Sequence, residues 1–252
     1  MALSLSLYHS GMRVLALKPL RDEILAMQGI RPAQNRVIDL TLSPLRQAFP
    51  NYSFPTGAVH EFITINKETA ASTSGFIAGM LTSLMKNSGT VVWIGTSRKL
   101  FPPALKTFGI EPDRLVFVDV KKEKDVMWAM DEALKCEALS AVVGEMQDLG
   151  FTESRRLQLA VEKSRVTGFV LRTNPKKINT TACVSRWKIS PAHSDPVDGM
   201  PGVGYPQWKV ELLRIRNGKP GAWELRWENG RFHSIGREVA AREAGNNELK
   251  AG

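Results

Sequence analysis

The stretch AVHEFITINKETAASTSGFIAGML (58–81) decides how the chain is read. AVHEFI (58–63) is a short apolar run with strand character. A Ser/Thr-rich segment follows. Then Phe76, Met80 and Leu84 recur at helical spacing, with Ile77, Leu81 and Met85 beside them. Strand, hydroxyl-rich loop, helix is the layout of a phosphate-binding loop, so the spacing predicts a loop up to residue 74 and a helix over 75–86. A working loop reads G-x-x-x-x-G-K-[ST]. Its glycines let backbone amides close on the phosphates, its lysine adds charge and its hydroxyl holds magnesium. Here the only glycine is Gly75, Phe76 stands where the lysine belongs, Lys67 lies at the wrong end and Glu68 repels phosphate. Two readings stay open. Backbone amides of 73–76 can hold an anion at a helix N-terminus, or Ser72, Thr73 and Ser74 simply cap the helix.

Working outward, the same alternation repeats. TVVWIG (90–95), RLVFVDV (114–120), SAVVGEM (140–146) and GFVLRT (168–173) read as further strands. Between them, FPPALKTFGI predicts a short helix opened by prolines and closed at Gly109, and helical patterns cover 123–136 and 153–165. Strands joined by helices argue for α/β architecture: a mostly parallel sheet covered on both faces. After residue 174 the pattern changes. TTACVSRWKI (180–189) is one strand. WKVELLRIR (208–216) and AWELRW (222–227), joined by NGKPG, predict an antiparallel β-hairpin added at the edge. Trp223, Leu225 and Trp227 alternate with Glu224, Arg226 and Glu228, so that strand is half buried. Trp187 should point to the core, away from Arg186 and Lys188. The expected organisation is an N-terminal helical segment (1–36, with a helix over 12–29), a core (37–190), a basic hairpin extension (191–235) and a loose tail (236–252).

The chain has 252 residues, 43% of them apolar, enough for one medium α/β domain with appendages. No apolar run reaches the roughly 18 residues that span a bilayer, and the N-terminus lacks a basic, then apolar, leader pattern. Cys136 and Cys183 have no metal-ligand spacing and are expected as buried thiols in a reducing cytoplasm. His9, His60, His193 and His233 are scattered, so no metal is expected. The net charge of +9 is uneven. Residues 151–252 carry 18 Lys and Arg against 10 Asp and Glu, so that part holds +8 of it. Such a half points to a polyanion, nucleic acid or an acidic partner, or else to a well-solvated basic surface.

At residues 36–190 the order of parts resembles the RecA-like recombinase core. GAVHEFI and the segment after it correspond to the phosphate-loop unit, and SAVVGEMQDL to the strand bearing the magnesium acid. Each catalytic position departs from that pattern. Ser97 stands where an acid would activate water. Gly144 falls on the metal-binding position, with Glu145 one residue late and so expected on the other face of the strand. The resemblance therefore implies a fold retained and ATPase chemistry lost, with no ATP or Mg cofactor expected. Thr73, Ser74, Gly75 and Glu145 mark the degenerate nucleotide site. GAVHEF, WIG…FPPALKTFGI, ESRRLQLA and SRWKI, in that order, resemble the ImuA family, RecA-like accessory proteins of bacterial mutagenesis cassettes. A cut-down core also occurs in SulA-type division inhibitors.

The ImuA resemblance implies a non-catalytic adaptor for error-prone translesion synthesis in the SOS response to DNA damage. Its partners would be a Y-family-like mutagenesis protein, an error-prone DNA polymerase, the RecA filament and single-stranded DNA, without a membrane. Candidate DNA or partner contacts are Arg155, Arg156 and Lys163 on the helix over 153–165, Lys176 and Lys177 in TNPKKINTT, Arg186 and Lys188 around Trp187, and Arg214 and Arg216 in the hairpin. Solvated surface is the competing reading of each group. A divergent DNA-dependent ATPase and a SulA-like inhibitor are the alternatives.

Overall fold

A computed structural model describes residues 42–86, 89–98, 100–194 and 204–235. The expected N-terminal segment, most of the 191–206 loop and the tail from 236 lie outside them. The described strands form one nine-stranded sheet in the order β3-β2-β4-β5-β1-β6-β7-β8-β9. They are β1 (Val59–Thr64), β2 (Thr90–Gly95), β3 (Leu115–Asp119), β4 (Leu139–Met146), β5 (Thr167–Thr173), β6 (Ser185–Pro191), β7 (Gln207–Ile215), β8 (Gly221–Glu228) and β9 (Arg231–Ser234). β1 to β6 pair parallel, and β7, β8 and β9 add as an antiparallel meander. The fold is mixed α/β, with the sheet parallel from the β3 edge to β6 and antiparallel from β7 to the β9 edge. β9 extends the expected hairpin by one strand.

Period-2 alternation sorts the strand residues onto two faces. Phe62, Trp93, Val143, Phe169 and Trp187 point to one side, where they meet helix α1 (Lys67–Leu84) through Phe76, Met80 and Leu81. Val59, Ile94, Val142 and Val170 point to the other, against Met130 and Leu134 of α2 (Glu123–Leu134) and Leu157 and Val161 of α3 (Phe151–Ser164). The first core runs without a break into the meander: Trp208, Trp223, Leu225, Trp227 and Phe232 belong to it. Gly79 permits this. A Cβ there would lie 2.6 Å from Cζ of Phe232, so only glycine lets that ring rest on α1. The segment Pro102–Phe108 is a 3-10 rather than an α-helix, ended by Gly109 at φ 78°. Its two leading prolines supply no amide hydrogens.

The fully buried His60 links the strands to the loop before β1. Its Nε2–H donates to the carbonyl of Pro55 (2.8 Å), which leaves Nδ1 to accept from the Ser185 hydroxyl (2.6 Å). The same hydroxyl accepts from Nε1–H of Trp187 at 2.6 Å. Burial lowers the His60 pKa from 6.5 to about 3. The folded protein thus refuses a proton that the unfolded chain accepts between those values. Stability from this group is complete above pH 6.5 and falls by up to about 1.4 kcal/mol per unit as pH drops toward 3. Urea unfolding at stepped pH should show that slope, and His60→Gln should flatten it.

Cys183 is buried and Cys136 exposed, so the expectation of two buried thiols fails for Cys136. Cys136 lies just past the C-terminus of α2, whose core-facing stripe ends at Leu134. Desolvation, reinforced by the Glu61 carboxylate, pushes the Cys183 thiol up to about 12.

Candidate functional site: a cleft at the carboxyl edge of the sheet

α1 follows β1 on one face, whereas α2 and α3 cover the other. In parallel sheets the crevice beyond the carboxyl ends of the strands, where the helices change sides, is where ligands bind. A cleft of about 1020 Å³ lies here. Its walls are mainly apolar, with Ala70, Ala71, Leu105, Phe108, Leu171 and Trp208 among them. Ile65 (59% exposed) and Phe101 (67%) stand open to solvent at the same site.

The start of α1 overturns the expected loop. The helix begins at Lys67, and Asn66 is its N-cap with extended backbone. Asn66 Oδ1 accepts from the Thr69 amide at 2.8 Å, and Thr69 Oγ1 accepts from the amide of Asn66 at 3.2 Å and that of Ile65 at 3.1 Å. This reciprocal capping uses helix-end donors that a phosphate would otherwise take. Thr73 and Ser74 do not cap. They lie within the helix, where their hydroxyls donate back to the carbonyls of Thr69 (2.7 Å) and Ala70 (2.9 Å). The amides of 73–76 are likewise inside α1. Gly75 sits on the cleft side, where a Cβ would meet Phe108 at 3.4 Å and Trp208 at 3.5 Å. Asn66→Ala should lower stability by about 1 kcal/mol in a denaturant titration, with Asn66→Asp close to the parent.

Glu145 lies on the face opposite Gly144, as its one-residue offset predicts. It lies on the cleft side of β4, the face of Val143, and its Oε1 accepts from Nε1–H of Trp93 at 2.6 Å. On the opposite face the site of a Gly144 side chain is filled by Met130, whose sulfur is 2.6 Å from a Cβ built there. Ser97 borders a smaller crevice beside Glu145, where Arg98 pairs with Asp119 (2.6 Å) and lies over the ring of Phe117.

The basic candidates divide into groups. Arg156 reaches Asp131 of α2 at 2.8 Å, and Lys135 reaches the same carboxylate at 2.9 Å. Burial pushes Asp131 up, but the hydrogen bonds from Arg156 and Lys135 outweigh it and hold the carboxyl below its usual value. Lys188 pairs with Glu211 across β6 and β7 at 3.3 Å. Lys163, Lys176 and Lys177 are exposed. Arg186 is mostly structural: its Nε binds Glu61 at 2.8 Å and its Nη2 donates to the carbonyl of Asn179. Arg214 donates to the carbonyls of Thr181 (3.1 Å) and Cys183 (2.9 Å), and Arg216 to that of Ala182 (3.2 Å). Arg155, Arg214 and Arg216 are brought together from α3 and β7. Burial first, then the neighbouring Arg155 and Arg214, lowers the Arg216 pKa.

Glu61 and Arg172 carry weight that the sequence reading missed. Both side chains are fully buried and paired at 2.7 Å. Glu61 also accepts from Thr181 Oγ1 (2.9 Å), and Arg172 donates to the carbonyls of Gln147 (3.3 Å) and Lys177 (2.8 Å). The pair thereby fixes the segment between β5 and β6 that bears Lys176 and Lys177. A charge inside each of two apolar strands was the available signal.

Fold and site together define a mixed α/β-sheet protein with an apolar cleft at the carboxyl edge, beside a helix capped by its own side chains. No family model matches the chain. It is 34% identical over 189 residues to protein ImuA of Caulobacter vibrioides, covering 70% of this chain and 78% of that one. Identity to the cell division inhibitor SulA of Yersinia pestis is 27% over 161 residues, 63% of this chain and 93% of that one. The crystal structure of SulA from Pseudomonas aeruginosa aligns with a TM-score of 0.40 at 16% identity, over 46% of this chain and 97% of that one. The chain belongs to the ImuA family. Among the described residues no helix is long and apolar enough to cross a membrane.

Proposed function

We propose that this chain is a non-catalytic, RecA-like adaptor of error-prone translesion synthesis in the SOS response to DNA damage. The observation that carries the reading is the start of α1. In a chain of the ImuA family, the place of the phosphate loop is taken by helix from Lys67 onward, capped by Asn66 and Thr69. Phosphoryl transfer depends on a lysine, a metal and backbone amides placed together around the phosphates. Here the amides lie inside the helix, Ser97 replaces the acid, and an apolar cleft occupies the corner. The parallel block β1 to β6, with the cleft beyond β1 and β4, supports the RecA-like description. An apolar cleft with exposed Ile65 and Phe101 suits a protein partner better than a triphosphate. The partners of this reading are a Y-family-like mutagenesis protein, an error-prone polymerase and the RecA filament, with weak single-stranded DNA contacts through Lys176 and Lys177, in the cytoplasm.

Deleting the gene should lower damage-induced mutation frequency, and the intact chain should restore it while co-purifying with the Y-family-like partner. Unchanged mutation frequency would overturn the proposal. The likeness over nearly the whole of a SulA sequence supports a second reading as a division inhibitor. Filamentous growth on expression, with direct binding to the division tubulin, would favour that one.

A further inference from the structure

β3, β4 and β5 run parallel, so the segments that follow them emerge at one edge of the sheet. Hydrogen bonds tie these segments into one ribbon. Glu123, the first residue of α2, accepts from the amide of Gln147 and from that of Asp148 at 3.2 Å. Gln147 Nε2 donates to the carbonyl of Asn174 (2.9 Å), and Asp148 Oδ1 accepts from the amide of Lys176 (3.3 Å). The segment after β5 is thereby linked through residues 147 and 148 to the start of α2. Lys121, Lys122 and Lys124 are exposed at one end of the ribbon, Lys176 and Lys177 at the other. None of the five makes an ion pair among the described residues. The neighbouring acids are largely committed. Glu123 is turned to the two amides, Asp148 lies 3.8 Å from Arg172, and Asp131 and Glu132 pair with Lys135, while Asp125 is half-buried.

Trp128 stands on α2 four residues beyond Lys124, hence on the same helix face. It is 64% exposed, whereas the other five tryptophans are at most 4% exposed. The apolar stripe of the helix, Val126, Met130 and Leu134, is buried without it. The exposed positions one turn to either side of the ring are charged, Lys124 and Glu132. An aromatic anchor for a protein partner sits instead among packed contacts that exclude water. A lone ring beside a row of cations is the combination that binds single strands, bases stacking while phosphates are neutralised.

We propose that Lys121, Lys122, Lys124 and Trp128 form a contact surface for single-stranded DNA. This rests on the DNA-contact part of the function proposed above and extends that contact from Lys176 and Lys177 to α2. Phosphates follow the lysines along the edge, and one base stacks on Trp128. In the order β3-β2-β4-β5 the outer strands are three spacings apart, or about 14 Å, the span of a few nucleotides. Lysines meet phosphates as point charges and read no sequence, so the surface takes unpaired strands without sequence preference.

The test is fluorescence anisotropy of the full chain with a labelled oligothymidine across a salt series. The triple variant K121Q/K122Q/K124Q is compared with K86Q/K106Q/K219Q, which removes the same charge from three exposed lysines elsewhere. Trp128→Ala and Trp128→Phe probe the ring, and circular dichroism melts check that every variant is folded. The expected result is at least ten-fold weaker binding for K121Q/K122Q/K124Q, with the log–log salt slope shallower by about 2, or about 0.7 for each phosphate contact removed. Trp128→Ala should bind at least five-fold more weakly with the slope unchanged, and Trp128→Phe should recover most of that loss. Since the other tryptophans are buried, the strand should quench the emission of the parent and leave that of Trp128→Phe unchanged. A duplex of the same length should bind without quenching. Equal losses in the two triple variants, or full affinity in Trp128→Ala, overturn the surface and mark a response to charge alone. Loss of binding in K176Q/K177Q with none in K121Q/K122Q/K124Q sinks the extension to α2 and leaves the earlier DNA contact standing. If the parent binds no DNA and K121Q/K122Q/K124Q instead fails to hold a co-purifying acidic protein, the proposal is wrong and the patch belongs to that partner. Damage-induced mutagenesis that stays intact without DNA binding would likewise sink this surface while sparing the adaptor reading.

Discussion

Glu61→Ala is expected to destabilise the protein by about 3–5 kcal/mol, the usual penalty for removing one partner of a buried ion pair. Arg172 would keep its charge in a fully buried position, with Asp148 at 3.8 Å as the remaining carboxylate, itself half exposed. Arg186 and Thr181 would lose the same acceptor. Since whole domains are stable by only about 5–15 kcal/mol, the guanidinium chloride midpoint should move far to lower concentration with the slope unchanged. Glu61→Gln should recover part of the loss, because the amide oxygen still accepts a hydrogen bond but carries no charge. A loss below about 1 kcal/mol would mean that Arg172 swings out to water, and that the segment over 174–181 is not held by this pair.

The second large effect is expected at Trp187. Its indole is fully buried and stacks on Phe62 at 5.9 Å with 11° between the planes. Phe76, Phe49 and Phe54 surround it at 6.2, 6.1 and 6.5 Å. These rings come from β1, α1 and the segment before β1, so one side chain ties three parts of the core together. Trp187→Ala should cost about 3–5 kcal/mol through lost burial and the cavity left behind. It also removes the indole donor to Ser185. Trp187→Phe should cost less, since a ring remains against Phe62. Loss of near-ultraviolet dichroism in step with far-ultraviolet dichroism would show that sheet and meander unfold as one unit.

The strands were legible because they obey a simple period. VVWIG, VVGEM and AWELRW alternate or run apolar as buried strands must, and the structure places them within a residue or two of expectation. The start of α1 was misread because the hydroxyl-rich segment invited comparison with a phosphate loop. Asn66 with Thr69 three residues on, followed by Ala70 and Ala71, was an adequate helix-start signal. Serine and threonine inside a helix can turn their hydroxyls back to the preceding turn, as Thr73 and Ser74 do. β9 had its own sign. Asn229-Gly230, at φ 50° and 72°, is the pair that favours a tight hairpin after β8. The Glu61–Arg172 pair joins residues 111 apart, and the arginines of the α3–β7 cluster meet only in the fold. Local pattern carries no information on such partners beyond the demand that a buried charge must have one.

The central claim is that the corner where a recombinase core would hold ATP is a capped helix beside an apolar cleft. The direct test is equilibrium titration of the full chain with a fluorescent ATP analogue and magnesium, with and without single-stranded DNA, hydrolysis being followed in parallel. The expected result is no saturable binding below about millimolar, a standard free energy weaker than about −4 kcal/mol, and no turnover. Micromolar binding or DNA-stimulated hydrolysis would contradict it, because the first turn of α1 would then have to unwind from its Asn66–Thr69 cap to enclose the phosphates.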